Sequence, residues 1–411
     1  MNDQQRPADV KTIRGHNLGI AMRTLRDVGP LSRVQLARQS GLVHASMTNL
    51  VADLEARGLV RAVEPARADG RGRRRGRPAT PLEIIPDRAL VLGVSLTRDR
   101  VDAELAACTG AVAWSGSRVL CRDGLSPEDV AQHIGDIIRE AVAFTAAAGS
   151  LLLTCVIALP APVGSEAGEV KAAIDFGWQR VPLLQLIRQA GVSDAVELTL
   201  VSDANTAALA EYAALDQPRP PVAAYVKADV GVGGGIIANG AIFAGQDGLG
   251  GAVGHITIDW RGRPCACGSV GCVAAYAGPE PLADGAGLRD VLDADGVDAA
   301  INALIARASD GDARALGALD LAGRAVGFGV KAMCALIDPG VVILGGYLAP
   351  LHPWLEPRIR EIIASQTALT AHLPIQPGRL GARAVLDGAA KLGFEPFFDD
   401  PSIVPLLSHP S

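Results

Sequence analysis

Aromatic residues are scarce in this 411-residue chain, at 4%, and 49% of its residues are hydrophobic. Its cores must therefore be built mainly from Ala, Val, Leu and Ile. No run of about 18 apolar residues occurs, so no membrane span is expected. The first ten residues are polar and lack the apolar centre of a signal peptide, and a cytoplasmic protein is the expectation. Cysteine is sparse outside one window. Cys108, Cys121, Cys155 and Cys334 are scattered in apolar surroundings and read as reduced core residues. Several catalytic signatures are missing too. There is no Gly-x-Ser-x-Gly elbow, no His-Glu-x-x-His and no full Rossmann fingerprint after a strand. The length suits two or three domains.

The net charge of −6 is unevenly spread. Residues 1–80 hold 15 Lys and Arg against 7 Asp and Glu, a net +8, and the rest holds 23 against 37, a net −14. A basic front on an acidic body points to a nucleic-acid reader attached to a module with another task. Within residues 1–80 the spacing of Leu18, Ala21, Met22 and Leu25 predicts a helix over 16–27, and Gly29-Pro30 stops it. Ser32-Arg33-Val34-Gln35 has the form of a capping box opening a second, short helix that ends near Ser40-Gly41. A third helix runs from about His44 to Arg57, with Met47, Leu50, Val51 and Leu54 inward and Gly58 closing it. Residues 59–63 read as a strand. Helix, helix, glycine turn, helix and strand form the layout of a winged helix-turn-helix, whose last helix lays its N-terminal residues in the major groove. The candidate DNA contacts are Arg33, His44, Ala45, Ser46, Thr48 and Asn49. A wing rich in Arg71, Arg73, Arg74, Arg75 and Arg77 is placed to follow phosphates or enter a narrow minor groove. A protein-binding helical module and a solvated linker are the plainer alternatives.

From Ala89 onward short β runs alternate with Ala-rich helices. Residues 90–95 and 101–106 read as a hairpin, and 126–148 as a helix. The apolar run 151–159 reads as a buried strand. Further strands are expected at 222–228, 234–239 and 341–344, with a long helix over 316–336. This alternation implies an α/β body. The last residues, 396–411, are Pro-rich and read as a loosely ordered tail.

The densest chemistry lies in residues 254–272. Cys265, Cys267 and Cys272 fall in this window and His255 precedes them. Thiolate and imidazole are the ligands a structural zinc ion prefers, and four of them close a tetrahedral shell. Gly268 and Gly271 let the chain turn back. A disulfide between Cys265 and Cys267 is disfavoured by their closeness. Buried free thiols fit poorly with the surrounding Arg, Gly and Pro.

Gly254-His255 followed by Cys-x-Cys-Gly-x-x-Gly-Cys resembles the signature of the ROK family, which groups sugar-responsive repressors with sugar kinases. Gly76-Arg77-Pro78 resembles the Gly-Arg-Pro closing the DNA-binding part of its repressors. The resemblance runs from about Arg14 to Phe394. It implies a winged helix-turn-helix at 1–80 followed by an actin-like or hexokinase-like body at 81–395. Two subdomains, about 88–204 and 205–375, would flank a cleft, and a last helix near 386–394 would pack back on the first. It also implies that His255 both ligates the metal and shapes a sugar pocket, and that Asp203 contacts the ligand. Such repressors usually carry a capping Ser where Val43 stands; either His44 or Ser46 is the substitute cap.

The sequence departs from the family's kinases at important positions. Their Asp-x-Gly-Gly-Thr reads Ser95-Leu96-Thr97-Arg98-Asp99 here, so the metal-binding carboxylate is a hydroxyl. Asp229-Val-Gly-Val-Gly233 resembles the second phosphate loop, and Leu344-Gly345-Gly346 the adenosine-side glycines. In the sugar site Ser202 replaces an Asn, and Ala252 and Ala274 replace two Glu. Losing two charged hydrogen bonds weakens sugar binding by roughly a hundred- to ten-thousand-fold. Asp203 is retained, as a ligand contact or simply as a helix N-terminal residue favoured by the dipole. The sequence therefore reads as a non-enzymatic repressor of double-stranded operator DNA. It would act as a homodimer or dimer of dimers, with zinc as cofactor and a sugar-related or other small effector. An active sugar kinase with a DNA-binding appendage, and a regulator that has lost sugar sensing, are the rivals.

Overall fold

The computed structural model describes residues 10–63, 80–120, 126–163, 168–364 and 372–407. Cys121 and Arg71, Arg73, Arg74, Arg75 and Arg77 lie outside them. The front end begins with α1 (Val10–Val28), which buries Leu18, Ala21 and Met22 completely. The short β1 (Leu31–Ser32) leads into α2 (Arg33–Ser40). Ser32 forms the expected capping box: its Oγ accepts from the Gln35 amide, and its own amide donates to Gln35 Oε1 at 3.0 Å. Gly41 adopts φ 71°, a left-handed turn that glycine enters without strain. It delivers the chain to α3 (His44–Ala56).

The strands β2 (Val60–Ala62) and β3 (Pro81–Ile84) complete a three-stranded antiparallel sheet in the order β1-β3-β2. Leu31 faces Leu82, and Val60 faces Ile84. A boundary at residue 80 therefore cuts through the winged helix, because its third strand begins at Pro81. The arginine-rich segment connects β2 to β3.

The body contains two five-stranded sheets of the same design. The first orders its strands β10-β7-β4-β5-β6. Here β4 (Ala89–Leu96), β5 (Arg100–Ala107) and β6 (Val112–Val119) form an antiparallel meander. Next, β7 (Leu151–Leu159) lies parallel to β4, and β10 (Leu198–Ser202) parallel to β7. The helix α4 (Pro127–Ala148), capped by Ser126, buries Ile134, Ile137 and Ile138 against them. A hairpin of β8 (Val170–Ala173) and β9 (Trp178–Val181), and α5 (Leu183–Gln189), fill the connection to β10.

The second sheet orders its strands β13-β12-β11-β14-β15. After α6 (Asp203–Ala213), β11 (Val222–Ala228), β12 (Val232–Ala238) and β13 (Ala241–Ile242) repeat the meander. In the same way β14 (Val342–Gly346) is parallel to β11, and β15 (Ile375–Pro377) to β14. Between them lie α7 (Ala274–Ala277), α8 (Pro279–Ala286), α9 (Arg289–Asp295), α10 (Val297–Ser309) and the long α11 (Ala313–Ile337). The helix α12 (Leu348–Ala364) packs along α11. Cys155 and Cys334 are buried, Cys108 is half-buried, and all three are free thiols as expected.

The C-terminal region departs from the sequence reading. Instead of ending near residue 394, α13 spans Ala384–Asp399. It is followed not by a loose tail but by a strap through Leu407. Val404 is fully buried. The Leu407 amide donates to the Ala56 carbonyl at 2.9 Å. The Arg57 guanidinium donates to the carbonyls of Ser402 (2.9 Å) and Val404, while Arg88 Nε donates to the Arg57 carbonyl at 2.9 Å. Prolines withhold backbone donors, so the strap is held largely by its carbonyls and its apolar side chains.

One apolar cluster joins front end and body. It contains Leu18, Met22, Leu36 and Met47 together with Val91, Val156, Phe394, Phe397 and Phe398. Removing the front end would bare the three phenylalanines.

Arg57 is the test of this clamp. Its side chain is 14% exposed and pairs with Asp53 at 2.8 Å. Arg57→Ala leaves the Ser402 and Val404 carbonyls without this donor and Asp53 with Arg14 as its remaining cation, at 2.8 Å, so it should cost about 2 kcal/mol. Hydrogen exchange should then accelerate in residues 44–63 and 400–407 while β4, β7 and β14 stay protected.

Candidate DNA interface, cleft and metal centre

The exposed face of α3 carries every sequence-predicted base contact on that helix. His44, Ala45, Ser46, Thr48 and Asn49 are exposed, while Met47, Leu50, Val51 and Leu54 are buried. Neither His44 nor Ser46 caps the helix. Val43 occupies the N-cap position with φ −66° and ψ 130°, and no side chain accepts from the first turn. His44 and Ser46 already lie inside the helix, and the Ser46 amide donates to the Val43 carbonyl at 3.0 Å. Arg33 differs from the other candidates. Its guanidinium pairs with Glu55 at 3.0 Å, tying the start of α2 to the end of α3.

The metal-ligand candidates converge. One ligand atom from each of His255, Cys265, Cys267 and Cys272 lies within 4.8 Å of the others. Cys265 Sγ is 3.8 Å from His255 Nδ1, and Cys267 Sγ is 3.8 Å from Cys272 Sγ. Tight turns bring them there. The Cys265 amide donates to the Ser269 carbonyl at 2.9 Å, and Gly271 has φ 66°. A Cβ at Gly271 would lie 1.6 Å from the Asp259 carbonyl oxygen, so only glycine fits. Burial and the neighbouring sulfurs push the Cys272 thiol up to about 12. Burial lowers the His255 pKa, favouring the neutral imidazole that ligates metals. Such a set can hold a metal ion, whose charge would convert the thiols to thiolates.

His255 also lines a cavity of about 1080 Å³ between the two sheets. Ala252 and Ala274 line it with methyl groups, and Thr97 and Arg98 line it as well. Ser95 is buried in β4. Asp203 opens α6 at the cavity wall. Its Oδ2 accepts from Lys227 Nζ at 2.7 Å, and Asp229 Oδ2 lies 2.6 Å from the same nitrogen. Lys227, on β11, is 6% exposed. Burial alone would favour its neutral form, but the carboxylates of Asp203 and Asp229 outweigh burial and hold its pKa above the usual lysine value. Asp203 is thus occupied by a permanent cation. Sequence reasoning missed Lys227. Its signal was a single charge inside the otherwise apolar Val222–Ala228.

The sequence profile of the ROK family matches residues 106–396, and the chain belongs to that family. It is 25% identical over 380 residues to the xylose repressor of Caldicellulosiruptor bescii, covering 90% of this chain and 93% of that one. It is 26% identical over 403 residues to the DNA-binding transcriptional dual regulator NagC of Escherichia coli K12, covering 94% of each. Among solved structures, a ROK family transcriptional regulator described as a homologue of the E. coli MLC protein superposes with a TM-score of 0.75 at 25% identity. That match covers 94% of this chain and 97% of the regulator. The ROK hexokinase of Thermus thermophilus matches 73% of this chain and 96% of its own length, at 27% identity and a TM-score of 0.58. The mixed α/β body accordingly has the actin-like fold of ROK regulators and hexokinases.

Lys227→Met keeps the volume but leaves Asp203 and Asp229 facing each other without a cation. Denaturant unfolding should show a loss of about 3 kcal/mol. Adding Asp203→Asn should recover most of it, because the remaining carboxylate, Asp229, is half exposed.

Proposed function

We propose that this protein is a transcriptional repressor that binds double-stranded operator DNA through its winged helix and uses a kinase-like body for sensing and dimerisation. The observation that carries this reading is the state of the cleft's one retained catalytic-type carboxylate. Asp203 is held by Lys227 at 2.7 Å, so it is poorly disposed to take a proton from a sugar hydroxyl. Ser95 supplies no anionic oxygen for magnesium. The Asp229 carboxylate, in the glycine turn, repels phosphate. The relatives matched over nearly their whole length are named as repressors and a regulator, and the hexokinase match covers only 73% of this chain.

The DNA-reading unit comprises residues 1–84, and the sensing body extends from about 88 through α13. His44, Ala45, Ser46, Thr48 and Asn49 face base edges, and Arg71, Arg73, Arg74, Arg75 and Arg77 grip the backbone. Asp203 and His255 belong to the polar wall of the effector cleft, with Arg98, Lys227 and Arg289 among the others that line it. Since Ala252 and Ala274 offer only methyl groups, the effector depends less on sugar hydroxyls than a kinase substrate does. His255, Cys265, Cys267 and Cys272 hold one zinc ion. Ligand sulfurs about 2.3 Å from a tetrahedral zinc lie about 3.8 Å apart, which matches the Cys267–Cys272 separation of 3.8 Å. The protein works in the cytoplasm as a homodimer or dimer of dimers, because two-fold operators require paired readers. No helix among the described residues is long and apolar enough to cross a membrane.

Operator titration tests the main claim. Replacing Arg73, Arg74 and Arg75 by Ala should flatten the salt dependence by roughly 0.9 per lost phosphate contact, while Asn49→Ala should lower specific binding alone. A coupled ATP-consumption assay over hexoses and amino sugars should show no turnover; turnover abolished by Asp203→Ala would make the protein a kinase. Elemental analysis should find one zinc per chain, lost in Cys267→Ser together with order in residues 254–275. A variant retaining full zinc would remove the ligand assignment.

A further inference from the structure

We infer that Val43 reads the 5-methyl group of a thymine in the major groove, an inference that rests on the DNA-binding reading above. The first turn of α3 is the part of the chain a helix-turn-helix brings to base edges. At its head stands an isopropyl group that is 70% exposed. The Val43 side chain does not cap the helix it opens, whose first amides are taken by the Val43 carbonyl instead. The preceding helix α2 is capped by the side chain of Ser32, whereas α3, like α6 and α10, begins with no side-chain cap. Val43 adds nothing to the core either, because Leu42 beside it is the residue that packs inward.

Its surroundings select the target. His44, Ser46, Thr48 and Asn49 are exposed beside it and can donate to or accept from base edges. Ala45 extends the apolar spot by one methyl group. A small apolar group amid such donors and acceptors, on a face offered to the major groove, meets one apolar feature among the four bases. That feature is the C5 methyl of thymine. The left-handed Gly41, φ 71°, and the partly buried Leu42 fix the backbone before Val43, so the isopropyl group is presented from a set position.

The test uses the full chain and an operator selected from random duplexes. Each thymine of that operator is then replaced in turn by deoxyuridine, which removes the methyl and leaves every hydrogen bond and phosphate. Wild-type protein should lose about four-fold in affinity at one thymine facing the start of α3. Val43→Ser restores a cap, so it should unfold no earlier than wild type, and it should be indifferent to that same replacement. Val43→Thr keeps a methyl in the same place and should retain part of the discrimination. Identical deoxyuridine profiles for wild type and Val43→Ser, or no methyl-sensitive thymine at all, would overturn the inference while leaving the repressor reading standing. Selection that yields no sequence bound better than random DNA would overturn both.

Discussion

The packing of α13 is the constraint that the other parts share. At its N-terminal half, Gly388 meets α6 so closely that a Cβ there would lie 1.8 Å from the Thr206 carbonyl oxygen. At its C-terminal half, Phe394, Phe397 and Phe398 stack with ring centroids 5.2–6.2 Å apart and face Leu18 and Met22 of α1. Arg26 lays its guanidinium 4.4 Å from the Phe398 ring centroid. In a chain with 7 phenylalanines, placing three at this junction concentrates large apolar area where two units must stay in register. The DNA reader is therefore not a bead on a flexible string but shares a core with the body.

Lys227 shows how a phosphotransferase cleft can persist without its chemistry. Erasing Asp203 and Asp229 would have been one solution. Here Asp203 stays beside Asp229, and a buried ammonium neutralises one of their two charges from within the protein. An ion pair of this kind is weak evidence of stability, because its desolvation offsets much of the Coulombic gain. It does fix geometry. It ties the first residue of α6 to β11 and to the turn that follows it. Cleft shape thus depends on an internal contact rather than on metal and nucleotide arriving from solution.

Much of this was legible in the sequence, for local reasons. The capping box at Ser32, the glycine at Gly41, the inward spacing of Met47, Leu50, Val51 and Leu54, and the Cys-x-Cys window each follow from neighbours a few residues apart. Val43 was legible as an oddity but not as the N-cap itself, since a vacant cap gives no positive signal. The misses were long-range. Pro81–Ile84 is too short and too remote from Val60–Ala62 to read as its partner across the arginine segment. The repeated sheet order leaves no sequence repeat to find, because it resides in pairing. The strap at 400–407 looked loose because its prolines signal breaks, and only the distant Arg57 and Ala56 supply its partners. Lys227 could not be paired with Asp203, 24 positions away, without the packing of α6 on β11 that joins them.

These contacts form one unbroken physical line from cleft to DNA face. Asp203 stands on the cavity wall at the head of α6. One turn on, Thr206 touches Gly388, with no side chain between the two helices to absorb a shift. The same α13 carries its phenylalanines to α1 and leads into the strap. The strap holds Arg57 and Ala56 at the end of α3, while Arg33 and Glu55 join that helix to α2. A ligand that moves Asp203 or the cleft walls has to move α6 against α13 or strain a backbone contact with no slack. Close-packed interfaces of this kind switch between discrete arrangements rather than yielding gradually. A cleft ligand's leverage on the front end through this line would be set by its differential contacts with alternative positions of α6, and a molecule that binds such positions equally would leave the front end unmoved however tightly it binds.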